Sequence, residues 1–559
     1  MKSQLIAYRR HLALTLGLPL ILAACASAPT SAINPTPPAP SLTTAPAPLP
    51  PPPPIAPSVT SSVLGTDLAA NINAFIAQPR FAHAHWGIDV VDPHSGQTIY
   101  APHAHKLTVP ASNAKLYSTA LALVTLGADA RFATTLYATA LPRRNGVLKG
   151  DVILHGGGDP SLGDAAVAPA SMDWADQFAA ALAAHGIFHI QGDLIADDTW
   201  FQGPGIGSGW EAGDLQQWYA ARTSALSVQG NVVIADVTRQ TNNACCKVAL
   251  TPPNTAKIYN LTHATTADDD GIGIYRPAGS NELFISGSLR SGRHARRFVL
   301  AAPDPAMMAA QLLHDAMTSH GIELKGRVRV VHWPQVDMAM QSTSLHVIAQ
   351  IQSPPLRDLI YHTLKHSDNL YAQILLLQTG VATAQAGVCM DRMQPPRRSE
   401  AWGLCAMRAM LRSAGIGNNE ATFVEGAGLS RKDLVTPAAT TKLLRWISQQ
   451  RFATVIDNAL PIAGVDGTLA HRLRNTLAQN NLRGKTGTLT HAYALSGYVT
   501  NADGQARVFS LSLDQYQRPR DSLGRRIAPS PQSDLDVIAA MLAAQSAMPP
   551  STQQKPSSP

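Results

Sequence analysis

The stretch PASNAKLYSTALAL, Pro110–Leu123, limits the fold more than any other part of the chain. It predicts a helix from Ser112 to about Leu126 that is apolar nearly all round. Such a helix has no face for solvent, so other elements must cover it. Its opening turn carries Ser112 and, three residues on, Lys115. That pair alone proves little, since on the order of one Ser-x-x-Lys arises by chance in a chain this long. Taken singly, Ser112 reads as a helix N-cap. With 559 residues, 45% of them hydrophobic, the chain can bury a sizeable core and divide into more than one domain.

The texture changes twice around this helix. Residues 86–101 alternate, turn at Pro93–Gly96 and predict a β-hairpin. From 132 to 346 come short alternating runs such as VLKGDVILHG, NVVIADVT, NELFISGSL and KGRVRVVHW. One helix, PAMMAAQLLHDAMTSHGI, interrupts them. Helical patterning returns in PPLRDLIYHTLKHSDNLYAQILLLQ, SEAWGLCAMRAMLRSAGI, TPAATTKLLRWISQQ and GTLAHRLRNT. Three strand-like runs follow, LRGKTGTLT, AYALSGYVT and ARVFSLSLD, and SDLDVIAAMLAAQSA closes the body as a helix. The expectation is an α+β fold. Residues 61–131 and 347–547 form one domain, an antiparallel sheet of about five strands flanked by helices, and a β-rich insertion at 132–346, with room for two small domains, interrupts it.

The N-terminus addresses the protein. Lys2, Arg9 and Arg10 precede the apolar run HLALTLGLPLILAA, which is too short for a spanning helix and reads as a signal peptide over 1–25. The junction Leu22-Ala23-Ala24-Cys25 resembles a bacterial lipobox, which implies lipidation of Cys25 and a membrane anchor. Alanine at 26 resembles the pattern of outer-membrane lipoproteins, so the expected location is periplasmic, tethered to the outer membrane. Residues 26–60, rich in Pro and Ala, predict an extended tether, and 548–559 a disordered tail. Export permits disulfides among Cys245, Cys246, Cys389 and Cys405, with Cys389–Cys405 the favoured pair. A formal charge of +7 suits anionic wall polymer or lipid, but no basic block or basic–aromatic pattern points to nucleic acid.

Two further motifs stand in order after Ser112: Ser367-Asp368-Asn369, and Lys485-Thr486-Gly487-Thr488 opening a strand. Each alone reads equally well as a turn. In this order, with a serine opening a buried helix and a lysine opening a strand, they are the Ser-x-x-Lys, Ser-Asp-Asn and Lys-Thr-Gly set of penicillin-recognising serine enzymes. The blocks PASNAK, GGGDPSL, GWEAGDLQQWYAARTSALSV, KHSDNLYAQ, EGAGLSRKDLVTP, LPIAGVDGTLAHRL and LRGKTGTLTHAYALSGYV span about residues 65–545. Together they resemble the D-alanyl-D-alanine carboxypeptidase/endopeptidase family, the penicillin-binding protein 4 type. The resemblance implies a transpeptidase/β-lactamase-like domain with an insertion after the Ser-x-x-Lys helix. It also implies a serine hydrolase acting on peptidoglycan peptides, with β-lactams as covalent inhibitors and no cofactor.

In that reading Ser112 is the nucleophile and Lys115 its base. Burial and the neighbouring cation Lys485 would lower the Lys115 pKa. The resemblance implies an oxyanion hole from the backbone N–H groups of Ser112 and Thr488. It makes Ser367 a proton relay to the departing amine and Asn369 a brace for Lys115 and a substrate amide. Lys485, Thr486 and Thr488 would bind the terminal carboxylate, while Gly487 lets the strand approach the substrate. Asp214 and Tyr219 would line a pocket for a diamino-acid side chain. The chain departs from the family pattern at Gly213, Glu425 and Ala427. His362 and His366 are spaced like a zinc pair, but Thr363 stands where a metalloprotease carries Glu, so no metal is expected. His83 and His85 read as surface residues, and GGGDP as a turn. Two rivals remain at this level: a β-lactamase or esterase with the same machinery, and a non-catalytic peptidoglycan-binding lipoprotein.

Overall fold

The computed structural model describes residues 68–240, 245–253, 256–265, 271–277, 279–289, 295–339, 345–389 and 398–546. Cys25, the linker and the tail lie outside the described residues. The expected hairpin is present as β1 (His85–Val91) and β2 (Thr98–Tyr100). The three late runs are β3 (Arg483–Leu489), β4 (Ala492–Thr500) and β5 (Ala506–Asp514). They make one antiparallel sheet in the order β3-β4-β5-β1-β2. β1 pairs Ile88 with Leu511 of β5, so the two ends of the body are woven into one element. Ten α-helices are described: α1 (Leu68–Ile76), α2 (Ala114–Leu126), α3 (Trp174–Ala184), α4 (Pro305–Ser319), α5 (Leu356–His366), α6 (Asn369–Gln385), α7 (Arg398–Ser413), α8 (Pro437–Ser448), α9 (Ala453–Ala459) and α10 (Pro531–Ala544).

The sheet is covered on both faces. On one face Trp86, Ile88, Leu495 and Phe509 pack with Ile72 of α1 and Leu535, Ile538 and Leu542 of α10. On the other face lies a larger core in which α2 is surrounded by α5, α6, α7 and α8. Leu116, Tyr117, Leu121 and Leu123 are all buried there, each worth roughly 2 kcal/mol of transfer free energy. The demand that α2 be covered on every side is met.

The insertion holds two further cores. Val328–Val331, Leu194–Asp197, Val152–Gly156, Ala133–Ala138 and His346–Gln352 form a mixed five-stranded sheet, in that order, packed by α3 and α4. Two three-stranded sheets enclose a smaller core of Val237, Cys246, Leu283, Ile285 and Leu300. The ends of the insertion meet, because Ser353 N donates to Phe132 O at 2.8 Å and Phe132 N donates to Ser353 Oγ at 3.0 Å.

Two expectations fail. The insertion has a second helix, α3, whose Trp174, Phe178 and Leu182 recur every four residues and are buried. GTLAHRLRNT is not a helix beyond the 3-10 turn Gly467–Leu469. Leu473 and Asn475 take left-handed φ of 58° each, which breaks the helical path. Leu469 and Leu473 are buried four apart, so tertiary packing copies the helical pattern without the helix. The structure joins Cys389 to Cys405, with Cα atoms 6.2 Å apart, and also joins Cys245 to Cys246.

Candidate active site

Ser112 lies in a 3-10 turn, Ala111–Asn113, that runs directly into α2. Residues three apart eclipse in such a turn, and Lys115 Nζ stands 3.0 Å from Ser112 Oγ. Ala111 has φ of 47°, a left-handed value that costs a residue with a Cβ about 1 kcal/mol or more. The surroundings hold it there. A Cβ on Gly428, itself at φ 81°, would lie 1.9 Å from Ala111 O, and one on Gly487 would lie 2.6 Å from Pro110 O. The space left by Gly487 is therefore taken by the turn that carries Ser112, a different use from the approach to substrate expected of it. Asn113 Nδ2 donates to Ser496 Oγ at 2.7 Å and ties the turn to β4.

The Lys115 ammonium is fully buried and donates to three acceptors: Ser112 Oγ, Asn369 Oδ1 at 2.5 Å and Ala427 O at 2.5 Å. Burial lowers its pKa to about 8, against the carboxylates of Glu425 and Asp368, which favour the charged form. The Lys485 ammonium, also fully buried, donates to Ser367 Oγ at 2.7 Å and to Thr486 O at 2.9 Å. Burial, and then the charge of Lys115, push Lys485 well below its usual range. Both amines have lowered pKa values, burial being the larger cause in each. Ser367 itself sits at φ 60° as the C-cap of α5, and Asp368 caps α6 by accepting from Tyr371 N at 3.1 Å. Two helix ends meeting at a left-handed residue put Ser367 and Asn369 side by side.

β3 is the edge of its sheet. Gly484 N donates outward to Pro461 O, and Thr486 O accepts from Lys485 Nζ on the same side. Backbone groups alternate along an antiparallel strand, so the Thr488 N–H points out in the same direction. The Thr486 hydroxyl donates to Thr468 Oγ1 at 2.8 Å. Tyr219 O accepts from Asn369 Nδ2 at 2.7 Å, while its hydroxyl donates to Asp214 Oδ1 at 2.8 Å. Ser112, Lys115 and Asn369 are thus linked by direct contacts, as are Ser367 and Lys485, and the Ser-Asp-Asn turn brings the two groups together; Tyr219 is attached to Asn369 through its backbone, with Asp214 one bond further out.

The profile of the D-Ala-D-Ala carboxypeptidase 3 (S13) family matches residues 68–529. This chain belongs to that family. It is 31% identical over 483 residues to a D-alanyl-D-alanine carboxypeptidase of Actinomadura sp. (strain R39), covering 83% of this chain and 85% of the relative. It is 25% identical over 414 residues to the D-alanyl-D-alanine carboxypeptidase DacB of Haemophilus influenzae, covering 73% of this chain and 80% of that one. The fold is that of the crystal structure of penicillin-binding protein 4 (dacB) from Haemophilus influenzae, with a TM-score of 0.69 at 23% identity over 84% of this chain and 97% of that one. A second crystal structure of the Haemophilus protein is a complex with a β-lactam, and it aligns with a TM-score of 0.66 at 21% identity over the same shares.

Several supports of this S13 peptidase site were not legible as such. Glu425, fully buried, accepts from the N–H groups of Gly428 at 2.5 Å, Leu429 at 2.9 Å and Ala427 at 2.7 Å, and from Trp210 Nε1 at 3.3 Å. It folds the EGAGLS loop so that the Ala427 carbonyl meets Lys115. That contact is made by backbone and does not depend on the side chain at 427. Burial, then the Glu425 carboxylate, push Asp433 well above the usual carboxylate range. His362, dismissed as a metal ligand, has its Nε2 3.3 Å from Asp368 Oδ2 and its ring against Tyr371. It steadies the Ser-Asp-Asn turn. The usable signal was Asp368 directly before an apolar helical run, a plain N-cap pattern.

Proposed function

We propose that this D-Ala-D-Ala carboxypeptidase works through an acyl-enzyme on Ser112 and takes peptidoglycan peptides as substrate. The terminal carboxylate is bound by Lys485, Thr486 and Thr488. That carboxylate favours the charged form of Lys485, which turns the repulsion between the amines onto Lys115 and favours the free amine there. Ser112 Oγ attacks the carbonyl carbon of the D-Ala-D-Xaa bond, and its proton passes to Lys115 Nζ. The oxyanion is met by the N–H groups of Ser112 and Thr488. The C–N bond then breaks, and the leaving amine takes a proton through Ser367. Water hydrolyses the ester with Lys115 again as base. Asn369 holds a substrate amide and keeps Lys115 in place, and Asp214 and Tyr219 receive a diamino-acid side chain. Cleavage of cross-links follows when the leaving amine is a second stem peptide.

The observation that carries this reading is the 3.0 Å contact between Lys115 Nζ and Ser112 Oγ, with the Lys115 pKa lowered by burial to about 8. The test is labelling with a fluorescent penicillin. Ser112 in the folded wild type is expected to be acylated stably, and Ser112→Ala to remain unlabelled. Equal labelling of Ser112→Ala sinks the mechanism, and fast sustained nitrocefin turnover would make the protein a β-lactamase instead. The same proposal places the protein in the periplasm on a lipid anchor at Cys25. Mass spectrometry of the mature N-terminus should find a lipid-modified cysteine, and an unmodified Cys25 rules the anchor out.

A further inference from the structure

The segment 210–222 touches two places. Tyr219 reaches Asn369, but Gly213, Gln216 and Arg222 line a separate cavity of about 810 Å³, and none of Ser112, Lys115, Ser367, Asn369 or Lys485 lines it. Arg222 and Arg276 face this cavity. Among the described residues, neither guanidinium has a carboxylate within ion-pair distance. Arg276 Nη1 donates to Ala301 O at 2.5 Å and its Nη2 to Leu215 O at 3.2 Å, while Arg222 Nη1 donates to Pro303 O at 3.2 Å. Backbone carbonyls fix both side chains without cancelling their charge. Burial, then the charge of Arg222, hold Arg276 below its usual range.

The nearby acids are already engaged. His332 lies between Asp198, at 2.9 Å, and Asp304, at 3.1 Å. Asp198, Asp304 and Glu400 line the same cavity as the two arginines, and Asp304 is near enough to Arg222 for that charge to help lower the Asp304 pKa. Two like charges, partly desolvated and with no carboxylate in direct contact, favour an anion between them. The three acids disfavour a polyanion and suit a ligand that carries an amine as well as a carboxylate. Tyr275, 59% exposed, adds an apolar ring to the lining.

We propose that this cavity is a second binding site, for a carboxylate-bearing peptide, with Arg222 and Arg276 holding the carboxylate. The occupant is an uncrosslinked stem peptide of peptidoglycan, an assignment that rests on the wall-peptidase reading above. The arginines give a planar, bidentate match to a carboxylate. A ligand here sits behind the segment that carries Asp214 and Tyr219.

The test uses the full chain acylated by a β-lactam, which blocks the groove at Ser112. A stem tetrapeptide with free carboxylates is titrated by calorimetry, beside the same peptide amidated at its carboxylates, and with inorganic phosphate as competitor. Saturable binding is expected, at least tenfold weaker for the amidated peptide and for Arg222→Gln, and not displaced by equimolar phosphate. Gly213→Phe is the second variant. Gly213 lines the cavity and an added Cβ there meets nothing within 4 Å, so the bulk is accommodated at the wall and should weaken binding at least tenfold. No saturable binding to the acylated wild type, equal binding of the amidated peptide, displacement by phosphate, or unchanged binding in both variants overturns the proposal. Penicillin labelling of the same samples separates the two levels. Normal labelling with no peptide binding strikes the second site alone, and a wild type that does not label strikes the Ser112 reading and the peptide assignment with it.

Discussion

Lys115 loses more by burial than it gains from the Glu425 and Asp368 carboxylates, which leaves its amine at about 8 rather than the ordinary 10.5. A base acts in its unprotonated form, so the sign is fixed. The rate of penicillin acylation should rise about tenfold per pH unit below about 8 and level off above it. Glu425→Gln removes a charge that favours the ammonium, so the rising limb should move to lower pH. A flat profile, or a shift upward in the variant, contradicts this. At Gly487 the argument is steric. Gly487→Ala places a Cβ 2.6 Å from Pro110 O, closer than a carbon can stand to a backbone oxygen, so strand and nucleophile turn must part. Acylation should fall at least tenfold, measured by labelling rate, with the fold retained by circular dichroism. Ser112, Lys115, Ser367, Asn369 and Lys485 could be read in the sequence because their residue types are the chemistry. Glu425 and Asn113 could not, since they act on distant backbone and side chains, and the Ala427 carbonyl carries no residue-type signal.

Helix ends shape the site more than helix middles. α5 stops at a left-handed Ser367, and α6 starts at Asp368, whose carboxylate accepts from Tyr371 N. An N-cap is worth about 1 kcal/mol, and asparagine caps as well as aspartate. Asp368→Asn should therefore keep acylation within about threefold, whereas Asp368→Ala should frustrate the turn and lose at least tenfold. Equal rates in the two variants would show that the cap does not set the positions of Ser367 and Asn369. The strands of the sheet and most helices were legible because apolar periodicity and burial agree along them. α3 escaped notice although Trp174, Phe178 and Leu182 mark its buried stripe, since alanine fills the rest. GTLAHRLRNT misled for the opposite reason. Its leucines have helical spacing, while Arg472 reaches out to Asp536 at 2.7 Å and the backbone turns left at Leu473.

The insertion is bound into the whole rather than appended to it. Phe201 and Ala225 from its side share a core with Leu370, Ile374 and Leu377 of α6, and Gln378 Nε2 donates to Gly157 O at 2.6 Å. Its internal stability should depend on pH through His332, which links Asp198 at the end of a strand to Asp304 at the N-cap of α4. Those two hydrogen-bonded carboxylates raise its pKa from 6.5 to about 10. A raised folded pKa means stability that is complete below about 6.5 and is lost as pH climbs through about 10. Thermal unfolding of His332→Asn should lie below wild type at about pH 6, and the gap should close by about pH 10.5. A gap independent of pH would contradict the link. The order of the main sheet has a consequence in time. Ser512 Oγ donates to Gly87 O across 425 positions of sequence, and β3, the strand that carries Lys485, is not yet made when α2 leaves the ribosome. The growing chain holds its serine and lysine in an apolar segment with no sheet to lie on. A chain broken off before β3 lacks Lys485, and its Ser112–Lys115 pair stays outside the sheet that surrounds it in the whole molecule.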